Sequence, residues 1–211
     1  MRPNHLIPFV LLSLLFYVDL SAQIRIGGHI GGSLSKYTLT ENPPLGTVHT
    51  FRGGFFGGLA GEISIASQVA IVLNLNYVQE GTNTDVPDIG GHAIGKIVNS
   101  YLEVPLFVQY SFRGSPVTYT LSAGPALGFL LSSYSAVDVP GLGTIESSST
   151  TTFKKQISDL GIRVGAEYPV NVDLAVTIGA TYRHGLSKVY DLPSTSHART
   201  FEFSVGVLFS P

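Results

Sequence analysis

The stretch YRHGLSKVYD, Tyr182–Asp191, brings a histidine, a serine and an aspartate together within ten residues. His184 and Ser187 with a carboxylate form the kind of set that cleaves an ester, the imidazole taking the hydroxyl proton as the oxygen attacks. That chemistry also needs a nucleophile held on a sharp turn and donors aimed at the developing oxyanion. The neighbouring residues supply neither, and polar residues at a strand end are ordinary, so no catalytic residue is assigned. The six histidines (His5, His29, His49, His92, His184, His197) show no close ligand spacing, and the chain has no cysteine. No metal site and no cofactor site is expected. The glycine-rich FRGGFFGGLAGE (Phe51–Glu62) is not followed by GK[ST], so it is no phosphate loop. Its GxxxG spacings would signify pairing only within an apolar helix.

The remaining charged residues are few and patterned. They make up 12% of the 211 residues, about half the usual share of about 25% in soluble domains. The formal charge of −2 gives no reason to expect a nucleic-acid partner. Mean hydropathy is +0.30, high for a chain with so little continuous apolar sequence. The longest run, LIPFVLLSLLFYV (Leu6–Val18), follows Arg2 and His5 and ends at DLSAQ. It has the length of a signal-peptide core and is too short to span a bilayer as a helix. Residues 1–22 therefore read as a signal peptide, with the mature domain covering residues 23–211.

That domain alternates with period two. In Asp159–Tyr168, Asp159, Gly161, Arg163, Gly165 and Glu167 share one face, and Leu160, Ile162, Val164, Ala166 and Tyr168 the other. Extended along the chain, the pattern predicts eight strands, at 24–37, 51–65, 70–80, 98–112, 117–131, 154–168, 173–184 and 199–209. The connections alternate long (38–50, 81–97, 132–153, 185–198) and short (66–69, 113–116, 169–172). The predicted fold is an all-β, eight-stranded antiparallel up-and-down transmembrane β-barrel. A soluble barrel of the lipocalin type would carry Lys and Glu outside. Here the polar faces carry mainly Gly, Ser, Thr, Ala and Asn, and Lys36, Lys96, Lys154, Lys155 and Lys188 fall in loops or at strand ends. An exported chain places both termini and the short turns in the periplasm and the long loops outside. Tyr37, Tyr77, Tyr110, Tyr168 and Tyr182, near strand ends, suit the aromatic girdles.

On this reading the polar parity faces the lumen. It collects Arg25, Arg52, Glu62, Glu103, Asp159, Arg163, Glu167, Arg183 and Glu202, with His29 beside them. Acids and arginines come out nearly balanced, and every base is an arginine, whose guanidinium pairs bidentately with carboxylates. Eight strands leave an interior that side chains fill, so these charges read as a structural network plugging the lumen. Arg183 and Glu202, both near the outer end of the last hairpin, are the expected pair. The strand YLEVPLFVQY (Tyr101–Tyr110) carries the test of the parity. Glu103 and Pro105 belong with Tyr101, Phe107 and Gln109 inside, while Leu102, Val104, Leu106, Val108 and Tyr110 meet lipid. Pro105 cannot donate to a ladder, so an irregularity is expected there.

The residues IRIGGHIGGSLSKY (Ile24–Tyr37), GGFFGGLAGEISI (Gly53–Ile65), YLEVPLFVQYSF (Tyr101–Phe112), LSAGPALGFLL (Leu121–Leu131), SDLGIRVGAEY (Ser158–Tyr168) and ATYRHGLSKVYD (Ala180–Asp191) carry a resemblance. Across essentially the whole mature chain the sequence resembles the PorT-like outer-membrane β-barrel family of Bacteroidota. The resemblance implies a Gram-negative outer membrane and one OmpA-like barrel. It also implies an envelope context, since the family's founding member is implicated in maturation or export through the type IX secretion system. It brings no catalytic residues. The expected function is non-enzymatic: a filled barrel in contact with outer-membrane lipid, whose loops, above all 132–153, meet envelope or secretion-system proteins. A narrow pore and a lipid-modifying enzyme are the alternatives.

Overall fold

The computed structural model describes residues 23–39, 48–86, 93–139, 143–148, 152–190 and 196–211, with Gly141 and Thr150. The expected signal peptide lies outside the described residues. Nine strands follow: β1 Ile24–Leu39, β2 Val48–Ala66, β3 Val69–Val86, β4 Ala93–Arg113, β5 Thr118–Val139, β6 Gly143–Ser147, β7 Gln156–Pro169, β8 Leu174–Gly185 and β9 Ser196–Phe209. Each of β1–β5 pairs antiparallel with the next, β5 pairs with β7, β7 with β8, β8 with β9, and β9 returns to β1. The ring thus has eight strands and no open edge at the membrane level, so the strands pair their backbone groups within the wall. No described helix is long and apolar enough to cross a membrane; strands do the spanning.

Burial is inverted relative to a soluble protein. Along β1, His29, Ser33 and Ser35 are buried, while Ile26, Ile30 and Leu34 are exposed, Ile30 to 68%. On β4, Tyr101, Glu103, Pro105, Phe107 and Gln109 are buried and Leu102, Leu106, Val108 and Tyr110 exposed. A carboxylate 1% exposed on a strand whose other face is bare hydrocarbon is stable only if the bare face meets lipid.

The ninth strand corrects the expected 132–153 loop. β5 runs on to Val139, and the chain returns as β6 along its C-terminal end, pairing Ser135–Val139 with Gly143–Ser147. Gly141 and Gly143, with φ of 81° and 84°, take the left-handed conformations this return needs. The expected 81–97 loop shrinks likewise, because Thr82–Val86 and Ala93–Ile97 extend β3 and β4 as paired strand. Composition misleads here: Thr and Asn read as loop, yet Thr is a good strand residue and an existing ladder offers each added residue a partner. Lys36 and Lys96 consequently lie within strands, near the long-loop end. β3, β4 and β5 have 18, 21 and 22 residues, against 14, 12 and 14 in β7, β8 and β9. One side of the barrel is a tall wall and the other a low one.

At Pro105 the ladder to β3 skips Val104 and Pro105 and resumes in the same register at Glu103, opposite Asn76. The expected irregularity is therefore an interruption without a bulge. The register shift on this strand falls at Ser100/Tyr101, on the β5 side. On the β5 side, a Cβ at Gly124 would strike the Leu106 carbonyl.

Candidate functional site

The lumen is built in three tiers. Nearest the short turns, Arg25 of β1 faces Glu62, its register partner on β2, with Nη2 2.5 Å from Oε1. The same guanidinium reaches across the barrel to Glu167 of β7, Nη1 to Oε2 at 2.8 Å. Gln109 donates to the other Glu62 oxygen at 3.1 Å, and Ser122 donates to Gln109 at 3.2 Å. One arginine thus carries two carboxylates and ties β1 and β2 to β7.

Above it lies a polar chamber of about 40 Å³, lined by His29, Asn74, Gln109, Thr120, Arg163 and Thr177 among others. Asn74 Oδ1 has no protein partner there, and a space of this size accepts water. Arg163 lies flat over Gly179, where a Cβ would come within 2.8 Å of its Nε. Among the described residues it makes no ion pair, only a 3.5 Å contact with Ser204 Oγ.

The third tier converges on Arg183 of β8, which is 2% exposed. Its Nη2 lies 2.6 Å from Glu80 of β3 and 2.8 Å from Glu202 of β9. Its Nη1 contacts Glu103 of β4 and sits 3.1 Å from Asp159 of β7. Thr200 also donates to Glu80, at 2.8 Å. Five strands meet on one guanidinium, and their side chains fill the cross-section. Above them Asn99 donates to the hydroxyls of Tyr37 and Tyr101, at 2.9 and 3.3 Å.

A cap closes the mouth at the long-loop end. Phe153 and Val189 pack with Tyr37 and Ala198 into a small apolar core, with Ile97, Leu130 and Tyr190 at its margin. The two cap segments are stitched by a Phe153–Tyr190 bridge and by Lys154 N–H donating to the Val189 carbonyl at 2.9 Å. Leu130 N–H donates to the Lys155 carbonyl at 2.9 Å, which fastens the cap to β5.

The nine sequence-assigned lumen residues therefore do not form one balanced network. Arg25, Glu62 and Glu167 come together, as do Glu103, Asp159, Arg183 and Glu202, with Arg183 and Glu202 in contact. Arg163 stands between the groups. Arg52, half-buried, lies higher up over Gly81, within about 3 Å of where that residue's Cβ would be, and joins no ion pair among the described residues. Two further residues belong to the interior that the sequence reading does not place there. Glu80 falls on the last position of a predicted strand, although it shares parity with Asn74 and Asn76. Tyr37, expected in an aromatic girdle, is 0% exposed inside the mouth; its alternation with Ser35 and Lys36 fixes its parity, and that parity points inward.

The Tyr182–Asp191 stretch yields no catalytic set among the described residues. Ser187 Oγ accepts from Ser158 N–H at 2.8 Å, and Ser187 N–H donates to the Ser158 carbonyl at 3.2 Å, so the serine staples the cap. His184 sits on the outer surface, its ring parallel to that of His197 at 6.3 Å. Asp191 lies outside the described residues. No cluster of three metal-ligating side chains occurs among those described.

A closed ring with an apolar exterior and a charged, filled interior defines a membrane-spanning β-barrel protein of the bacterial outer membrane. The chain belongs to the outer membrane protein β-barrel domain family, whose sequence model matches residues 19–191. Its fold is similar to that of the outer membrane protein OprG of Pseudomonas aeruginosa, at 14% identity and a TM-score of 0.51, covering 90% of this chain and 97% of that one. Neisserial surface protein A is 17% identical with a TM-score of 0.49, over 88% and 97%. Ail of Yersinia pestis is 12% identical with a TM-score of 0.44, over 89% and 99%. No curated protein matches the chain.

Proposed function

We propose that this protein is a non-enzymatic, plugged barrel that serves the envelope through its outer surface rather than through its lumen. The observation that carries the reading is the double closure. The Arg183 group fills the cross-section, and the Phe153/Val189 cap covers it, while the tall wall of β2–β6 stands free as a contact surface. In this reading residues 1–22 are removed on export, the termini and short turns are periplasmic, and the wall is extracellular. The resemblance to PorT-like barrels of Bacteroidota supports an assembly role, with envelope or secretion-system proteins as partners.

Two measurements test this. Purified barrel in a planar bilayer should give no steady single-channel openings; sustained conductance would make it a narrow pore instead. Crosslinking from intact outer membrane should trap partners through wall positions such as Glu146. Recovery of the barrel only as a lone species, in cells that express it normally, would remove the assembly role.

A further inference from the structure

On the low side of the barrel the outward face carries a row of bases. His184 of β8 pairs directly with Arg199 of β9, and Arg199 with Lys36 of β1. Their chain neighbours Ser35, Tyr37, Ala198 and Thr200 are buried at 0, 0, 3 and 1%, which turns Lys36 and Arg199 outward. His197, one step nearer the rim, stacks on His184. Like charges directly opposite on a sheet repel, and neither Lys36 nor Arg199 forms an ion pair among the described residues. Among the described residues, the acids of the outer end, Asp85, Asp138 and Glu146, belong to the tall wall instead. Immediately below the row lies an aromatic shelf: Tyr182 and Phe201 have ring centroids 4.9 Å apart, and Phe51 and Phe201 6.0 Å. Phe51 and Phe201 are 47% and 41% exposed, with Leu34 beside them at 46%.

We propose that this face is a binding site for the phosphorylated headgroup of a membrane lipid. Lys36 and Arg199 hold the phosphate, His184 borders it, and the Phe51–Phe201–Tyr182 shelf packs the first carbons of the acyl chains. A cationic row placed on an interfacial aromatic shelf matches an anion joined to hydrocarbon, and a free anion would leave the shelf unused. The site rests on the lipid-facing assignment of the low wall and is independent of whether the lumen conducts.

The full barrel, reconstituted in phosphatidylcholine nanodiscs doped with lipid A, is read for tightly retained lipid by native mass spectrometry. Lipid A stripped of its phosphates by phosphatase serves as the matched probe. Wild type should retain the phosphorylated form in clear preference. Lys36→Gln/Arg199→Gln should lower that retention roughly tenfold or more, with an unchanged heat-dependent gel shift. Arg199→Gln alone gives the same reading should the double variant fold poorly. Arg113→Gln, which removes a charge at the opposite rim, should leave retention unchanged. Equal retention of the two lipids, no loss in the row variants, or an equal loss with Arg113→Gln would overturn the proposal. Displacement of the lipid by low-millimolar inorganic phosphate would also overturn it, leaving a simple anion site.

Discussion

Arg183 is the residue on which the interior depends, because four carboxylates, those of Glu80, Glu103, Asp159 and Glu202, share its one guanidinium. Removing it leaves all four buried without their cation, whereas removing one acid leaves three to occupy it. Arg183→Met should therefore cost about 3–5 kcal/mol, the usual penalty for orphaning a buried ion pair. Glu202→Gln should stay within about 1 kcal/mol of wild type, since the amide keeps a hydrogen bond to the guanidinium. Urea-unfolding midpoints in detergent micelles separate the two outcomes, and equal losses would contradict the asymmetry. Parity alone makes most of this group legible, since every strand that donates to it alternates cleanly. Glu80 is not legible because it follows Gln79 where polar residues thicken, and the strand's continuation through Thr82 and Thr84 depends on pairing with β4. Parity gives Arg52 a face but not a partner: opposite Ser35 on β1 and over Gly81, it lies nearer the mouth than the charged tiers.

Among the elements, β4 and the cap make opposite demands. β4 must hold its register, since a slip by one residue would expose Glu103 to hydrocarbon. Leu106→Arg on its outer face should cost about 2–4 kcal/mol where the side chain meets mid-bilayer. Phe107→Leu, inside, should cost less, as a smaller apolar side chain still covers Gly161; refolding titrations into lipid vesicles compare them. The cap is held by a small apolar core and a few backbone bonds, so it is the part expected to open locally. Val189→Asp, at a site 1% exposed, should speed amide exchange across 186–190 without producing conductance, because the Arg183 tier below remains intact. Conductance in this single variant would show that the cap, and not the tier, seals the barrel. The ring's strand number and facing are readable from period-two alternation. The β5–β6 return is not, since its stability comes from an adjacent strand end rather than from its own residues.

At the scale of the molecule, the unequal wall heights predict where outside reagents reach. Protease added to intact cells should cut near Gly141, in the β5–β6 return, and spare the Gly114 turn until the outer membrane is opened. Cleavage at the Gly114 turn in sealed cells would invert the topology. The lumen groups have a further effect, on assembly. β1 meets β9 across the longest sequence separation of any strand pair, with Tyr37 opposite Ala198, so closure is the slow step expected of such pairings. Arg25 joins β1 and β2 to β7, while Arg183 draws β3, β4, β7 and β9 to β8; neither set can be completed on an unrolled sheet. A chain whose ends had not met would leave Glu167, Glu80 and Glu103 without their guanidiniums, since each sits on a strand that is not beside its arginine's. The same charges that fill the finished barrel thereby weigh against its unclosed intermediates.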